Sequence, residues 1–114
     1  MEETKELFIL WTNDDVHTAN LMVMMYARNA MMHRLWQGVT VIIWGATAKL
    51  AAENEVVGEQ IEMAQQAGVR FSACIACARQ FGVKERLEGL GIEVVPWVEP
   101  LTELIKSGKP ILTI

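Results

Sequence analysis

Apolar residues fall along this chain in two alternating rhythms. Short unbroken runs with β-type content are separated by longer stretches in which apolar positions recur every three or four residues. Leu7-Phe8-Ile9-Leu10-Trp11 is the first run, and Asp14-Asp15 after it offer a helix cap and a favourable charge at the helix dipole. Val16 to Trp36 follows a helical period, is rich in Met and Ala, and ends before Gly38. Val39 to Trp44 is a second strand closed by Gly45, and Lys49 to Gln66 a second helix with Gly68 as its stop. Val69 to Ala73 reads as the third strand, Ala78 to Leu90 as a shorter helix broken at Gly82 and ended by Gly91, and Ile92 to Val95 as the fourth strand before Pro96. Pro100 to Lys106 forms a short helix with its proline in the first turn, and Lys109 to Ile114 a last strand.

This β-α-β-α-β-α-β-α-β order predicts an α/β fold. Strands apolar on both faces belong in a parallel sheet covered by helices on both sides. Right-handed crossovers leave few arrangements. The expected one is a flavodoxin-like three-layer sandwich whose five-stranded, mostly parallel sheet has the order 2-1-3-4-5. That order puts the switch point between the first and third strands, where the loops Thr12 to Asp15 and Cys74 to Cys77 would meet. A chain of 114 residues has the size of one domain, taken here as residues 1–114, and buries enough surface for a core without staples.

Composition narrows the function. The net charge of −4 is spread over interspersed acids and bases, with no basic run to track phosphates, so nucleic acid is excluded as the expected partner. No apolar run reaches the ~18 residues of a membrane span. The start, Met1-Glu2-Glu3-Thr4-Lys5-Glu6, is acidic and lacks the basic n-region of a signal peptide, which makes the cytoplasm the expected location. Seven Met and four Trp among 114 residues, with Met22, Met24, Met25, Met31 and Met32 covering more than one helical face, suggest a helix gripped between subunits; a methionine-rich core is the plainer alternative.

The candidate chemistry lies in Cys74-Ile75-Ala76-Cys77, where a strand gives way to a helix. The free N–H groups and positive end of a helix favour a thiolate, the form that attacks sulfur or binds metal. In a reducing compartment a CxxC pair points to catalysis or metal rather than to a structural disulfide. Cys74 is expected to be the reactive thiol. Cys77, one turn in and on the same face, is expected to have a more ordinary pKa and to act as partner or resolving thiol.

Two small buried hydrophobes are the structural alternative. A closed zinc site needs four ligands, and His17 and His33 lie about 24 Å apart along one helix, so one subunit cannot bring both to the thiols; carboxylates or a neighbouring subunit could complete a site, but no metal is the expectation. Thioredoxin-type exchange is a rival, although the pair follows the third strand, with Ala73 where thioredoxins carry Trp. His17, on the same sheet edge, could share the thiol proton or merely be solvated. Trp11, Trp44 and Trp97 each close a strand; they wall the mouth of a thiol pocket, form a docking surface, or cap the core. Gly45-Ala46-Thr47 is too short to be read as a phosphate loop, and no cofactor motif occurs.

The blocks Val41-Ile42-Ile43-Trp44-Gly45-Ala46-Thr47-Ala48-Lys49-Leu50, Ala67-Gly68-Val69-Arg70-Phe71-Ser72-Ala73-Cys74-Ile75-Ala76-Cys77-Ala78, Gly82-Val83, and Gly91-Ile92-Glu93-Val94 with Pro100-Leu101 together resemble the DsrE-like sulfur-relay family, with its DsrE/DsrF and TusD-type proteins. The resemblance covers nearly the whole chain. It implies a flavodoxin-like fold, homo- or hetero-oligomers such as trimers and hexamers, sulfur donor and acceptor proteins as partners, and a cysteine that carries persulfide sulfur. By position that cysteine is Cys74. Cys77 departs from the TusD-type pattern and is similar instead to small DsrE-like proteins with a CxxCA motif. The expected function is a cysteine-based persulfide carrier with Cys74 as acceptor. The alternative is a non-catalytic ligand-binding or redox-sensing module that uses the same pair; whether any turnover occurs is left open by the residues.

Overall fold

The computed structural model describes residues 5–114; the acidic start Met1 to Thr4, read above as no signal peptide, lies outside the described residues. Five strands form one sheet: β1 (Glu6–Trp11), β2 (Gly38–Ile43), β3 (Arg70–Cys74), β4 (Glu93–Val95) and β5 (Ile111–Thr113). All four pairings are parallel. The helices are α1 (Val16–Thr18), α2 (Met25–Met32), α3 (Thr47–Glu53), α4 (Glu55–Gln66), α5 (Ile75–Phe81), α6 (Lys84–Gly89) and α7 (Val98–Lys106). Between α1 and α2 the chain makes a π-helical segment, Ala19–Met24, so the single helix expected over 16–36 is wider in its middle and ends early.

Local chemistry explains several boundaries. The Asp15 carboxylate caps α1 by accepting from the Thr18 N–H at 2.8 Å and the Thr18 hydroxyl at 3.0 Å, and these bonds lower its pKa. Asn54 splits the helix expected over 49–66: its backbone is extended and its side chain accepts from Val57 N–H at 2.9 Å, starting α4 afresh. Gly82, left-handed at φ 67°, separates α5 from α6, where the break was expected.

The sheet order corrects one expectation. It is β4-β3-β2-β1-β5, not 2-1-3-4-5. Each of the first three connections steps to the next strand on the same side, and right-handed crossovers then place all three on one face. That face buries Leu7, Ile9 and Trp11 of β1, Val39, Val41 and Ile43 of β2, Phe71 and Ala73 of β3, and Val94 of β4. The fourth connection returns across the sheet, so α7 alone covers the opposite face, with Leu101 and Leu104 against Ile42, Cys74 and Trp97. The order of strand addition reverses between β1 and β5, and β2 separates β1 from β3. The loop that meets the CxxC segment is therefore the one after β2. The amino-terminal half of the α7 face stays open as a cleft of about 570 Å³ whose lining includes Phe8, Thr40, Arg70, Glu93 and Trp97.

Candidate functional site

Cys74 is at once the last residue of β3 and the residue before α5, with φ −66° and ψ 121°. Strand alternation turns its side chain, like that of Ser72, toward α7. There it packs with Ile42 and Trp97 and is only 4% exposed. Its sulfur makes no capping bond to the first turn of α5, so the expected thiolate-stabilising contact is not formed.

Cys77, half-buried one turn further on, touches both hydrophobic clusters. Its Sγ accepts a hydrogen bond from the Gly45 N–H at 3.1 Å. Its pKa is raised above the ordinary 9.0, contrary to the expectation of an ordinary value. Burial is the main cause; the Gly45 N–H opposes it, and the Cys74 sulfur, which takes a hydrogen bond from Cys77 and repels a second negative charge, adds to it. Burial and the neighbouring Cys74 sulfur thus favour the protonated form of Cys77.

Gly45 reaches Cys77 because of how the turn after β2 is built. The glycine takes a left-handed φ of 71°, a conformation that strains any residue with a Cβ. Two residues on, the fully buried Thr47 hydroxyl ties the turn down. Its single proton is shared between Trp11 O at 2.8 Å and Trp44 O at 3.0 Å, and its oxygen accepts from Trp44 N–H at 3.2 Å. The ends of β1 and β2 and the start of α3 are fastened at one point. Gly45 and Thr47 are site residues that the sequence reading passed over; the signal was a glycine directly after a strand with a hydroxyl two residues later.

The three tryptophans do not wall one mouth. Trp11 is buried on the helix-rich face, its Nε1–H donating to Asn13 O at 2.9 Å. Trp44 is half-buried in the cluster around Cys74. Trp97 folds over the opposite face from Trp11 and covers Cys74. Its Nε1–H donates to Ser72 Oγ at 2.8 Å, and Ser72 Oγ–H donates to Glu93 Oε1 at 2.9 Å. Trp97 also lines the open cleft on that face, so the indole stands between the cleft and the Cys74 thiol. His17 is exposed on α1 and makes no hydrogen bond to either thiol. Among the described residues no three His, Cys, Asp or Glu side chains gather as a metal set.

A parallel five-stranded sheet carrying a pair of contacting free thiols at its third strand–helix junction defines a class of small α/β thiol proteins. Within that class, the chain belongs to the DsrE/DsrF-like family, whose pattern matches residues 5–114. It is similar to a conserved protein of unknown function from Bacteroides thetaiotaomicron, at 39% identity and a TM-score of 0.94 over 96% of this chain and 95% of that one. A protein of unknown function from Methanobacterium thermoautotrophicum shares the fold at 19% identity and a TM-score of 0.76, covering 98% of this chain and 100% of that one. The ychN protein from E. coli does so at 15% identity and a TM-score of 0.61, covering 98% and 100%. No curated protein matches this sequence.

Proposed function

We propose that this protein is a sulfur carrier of the cytoplasm in which Cys74 accepts and holds a sulfane sulfur as a persulfide and Cys77 is its proton-holding partner. The net step is redox-neutral: Cys74–SH and a donor R–S–SH give Cys74–S–SH and R–SH. One sulfur–sulfur bond breaks, one forms, and the proton of the protein thiol ends on the departing R–S⁻. The observation that carries the reading is the contact of two free thiols, one held protonated by burial and by its neighbour's sulfur. The family's general link to sulfur relay supports it. The cover of Ile42 and Trp97 suits a persulfide, which water-borne oxidants and thiols would otherwise strip.

Mass spectrometry after exposure to inorganic polysulfide tests the reading. The expected result is a gain of one sulfur that survives desalting and is lost in Cys74→Ala. The low exposure of Cys74 favours one second reading, a redox sensor that closes a Cys74–Cys77 disulfide and carries nothing. It would show a loss of two hydrogens under mild oxidant and no sulfur gain.

Self-association belongs to the same proposal. Leu21, Met25 and Met32 recur at helical spacing and are exposed, as are Leu35 just past α2 and Val56 and Met63 on α4. A trimer or hexamer would cover them. Sedimentation as a monomer at micromolar concentration would exclude that assembly.

A further inference from the structure

We propose that the cleft between α3 and α5 at the carboxyl edge of the sheet seats a zwitterionic, low-molecular-weight persulfide of the α-amino-acid type, as the donor that loads the thiol pair. The proposal rests on the sulfur-carrier reading and names its substrate class.

The cleft has a volume of about 470 Å³, within the usual range for small-molecule sites. Its lining includes Asp14 from the loop after β1, Ala46 from the turn after β2, Lys49, Glu53 and Asn54 from α3 and its end, and Phe81 from α5. Two links join it to the chemistry. Ala46 follows Gly45, whose N–H holds the Cys77 sulfur. Phe81 lies four residues beyond Cys77 on α5, hence one turn along the same face. Neither thiol lines the cleft itself, but through Ala46 and Phe81 its wall adjoins half-buried Cys77 rather than buried Cys74.

Its charges select the ligand. Lys49 and Glu53 are spaced to pair along α3, yet the Glu53 carboxylate lies 3.7 Å from Arg86 instead. Among the described residues no carboxylate lies within ion-pair distance of Lys49, and no cation within that distance of Asp14. One ammonium and one carboxylate are left lining the same space, together with the exposed ring of Phe81 from α5. An α-carboxylate suits Lys49, an α-ammonium suits Asp14, and a short sulfur-bearing arm suits the apolar surface of Ala46 and Phe81. Two carboxylates against one lysine disfavour inorganic dianions such as thiosulfate.

The transfer balances. Cys77–S⁻ attacks the outer sulfur of R–S–SH, giving Cys77–S–SH and R–S⁻, which takes the proton that Cys77 gave up. The Cys74 thiol then attacks the outer sulfur of the Cys77 persulfide and its proton passes to the departing Cys77 sulfur, which the Gly45 N–H stabilises, giving Cys74–S–SH and Cys77–SH. Cys77 holds sulfur only in passing, and in Cys74→Ala its half-exposed persulfide is stripped by thiols before desalting ends; Cys74 holds the sulfur at rest.

The test uses S-methyl-L-cysteine, a probe of the same shape that cannot transfer sulfur, titrated into the full chain and followed by amide NMR. Saturable shifts at Gly45, Ala46 and Phe81 are expected, with at least ten-fold weaker binding in Lys49→Ala and for 2-(methylthio)ethylamine, which lacks the carboxylate. Absence of these shifts, or equal binding of the two probes, overturns the cleft assignment; if inorganic polysulfide still loads Cys74 in that case, the carrier reading survives alone. Binding of the probe with no sulfur loading from any persulfide sinks the carrier reading and the donor role together.

Discussion

Replacing Thr47 by Val isolates what the turn after β2 contributes. Valine has nearly the same shape, so no cavity opens and the measured loss is that of the hydroxyl. That hydroxyl is fully buried and makes three contacts, to Trp11 O, Trp44 O and Trp44 N–H. Trp44 N–H keeps a partner in the variant, because it also donates to Trp11 O at 3.2 Å. The two carbonyls lose their closest donor and find no water in a buried site. Trp11 O keeps that Trp44 N–H, so a net loss near ~1 kcal/mol for the hydroxyl's hydrogen bonding, plus part of the desolvation cost of Trp44 O, gives about 1.5–3 kcal/mol. At roughly 4 °C per kcal/mol for a chain of this size, the melting temperature falls by about 6–12 °C. Urea unfolding is the assay: the midpoint should shift while the slope stays the same, since the surface exposed on unfolding is unchanged. Thr47→Ser, which keeps the hydroxyl, should recover most of the stability. A loss under ~0.5 kcal/mol in Thr47→Val, too small for even one buried bond, would refute the claim that this hydroxyl fastens the turn.

Other outcomes follow from the same geometry. The pKa of Cys77 is raised on folding, so its neutral form is favoured in the native state; the stability it contributes is complete below the unfolded thiol's value and is lost as pH rises through the folded one. Unfolding titrations above pH 9.0 should therefore show a decline that is weaker in Cys77→Ala, and an identical decline in both would contradict the assignment. Trp97→Ala should uncover Cys74 and speed its alkylation at least ten-fold by peptide mapping. Trp97→Phe, which keeps a smaller ring and loses the bond to Ser72, should cost about 1–3 kcal/mol and leave Cys74 largely covered. Gly45→Ala places a Cβ at φ 71° and should lower stability by about 1–2 kcal/mol in chemical denaturation; no loss would mean that the turn relaxes freely.

The periodic pattern by itself determined the elements and their class. The continuous apolar run Leu7 to Trp11 reads as a strand covered on both faces, and it appears as β1. Gly82 and Gly68 marked helix ends because both need a left-handed φ, and both have one. The CxxC pair at a strand–helix junction was legible for the same reason, since the change of period falls at Cys74. Strand order was not legible. A crossover of given length reaches either neighbour of a strand, and the choice is made by how whole helices pack on one face. That choice put β2 between β1 and β3, set Gly45 rather than the first loop against Cys77, and left the other face to α7. Burial of the thiols was hidden for a related reason. Cys74 is covered by Trp97, and the bond that holds the indole there joins residues 25 positions apart. Local sequence sets which face a side chain points to; only the tertiary packing decides what stands over it.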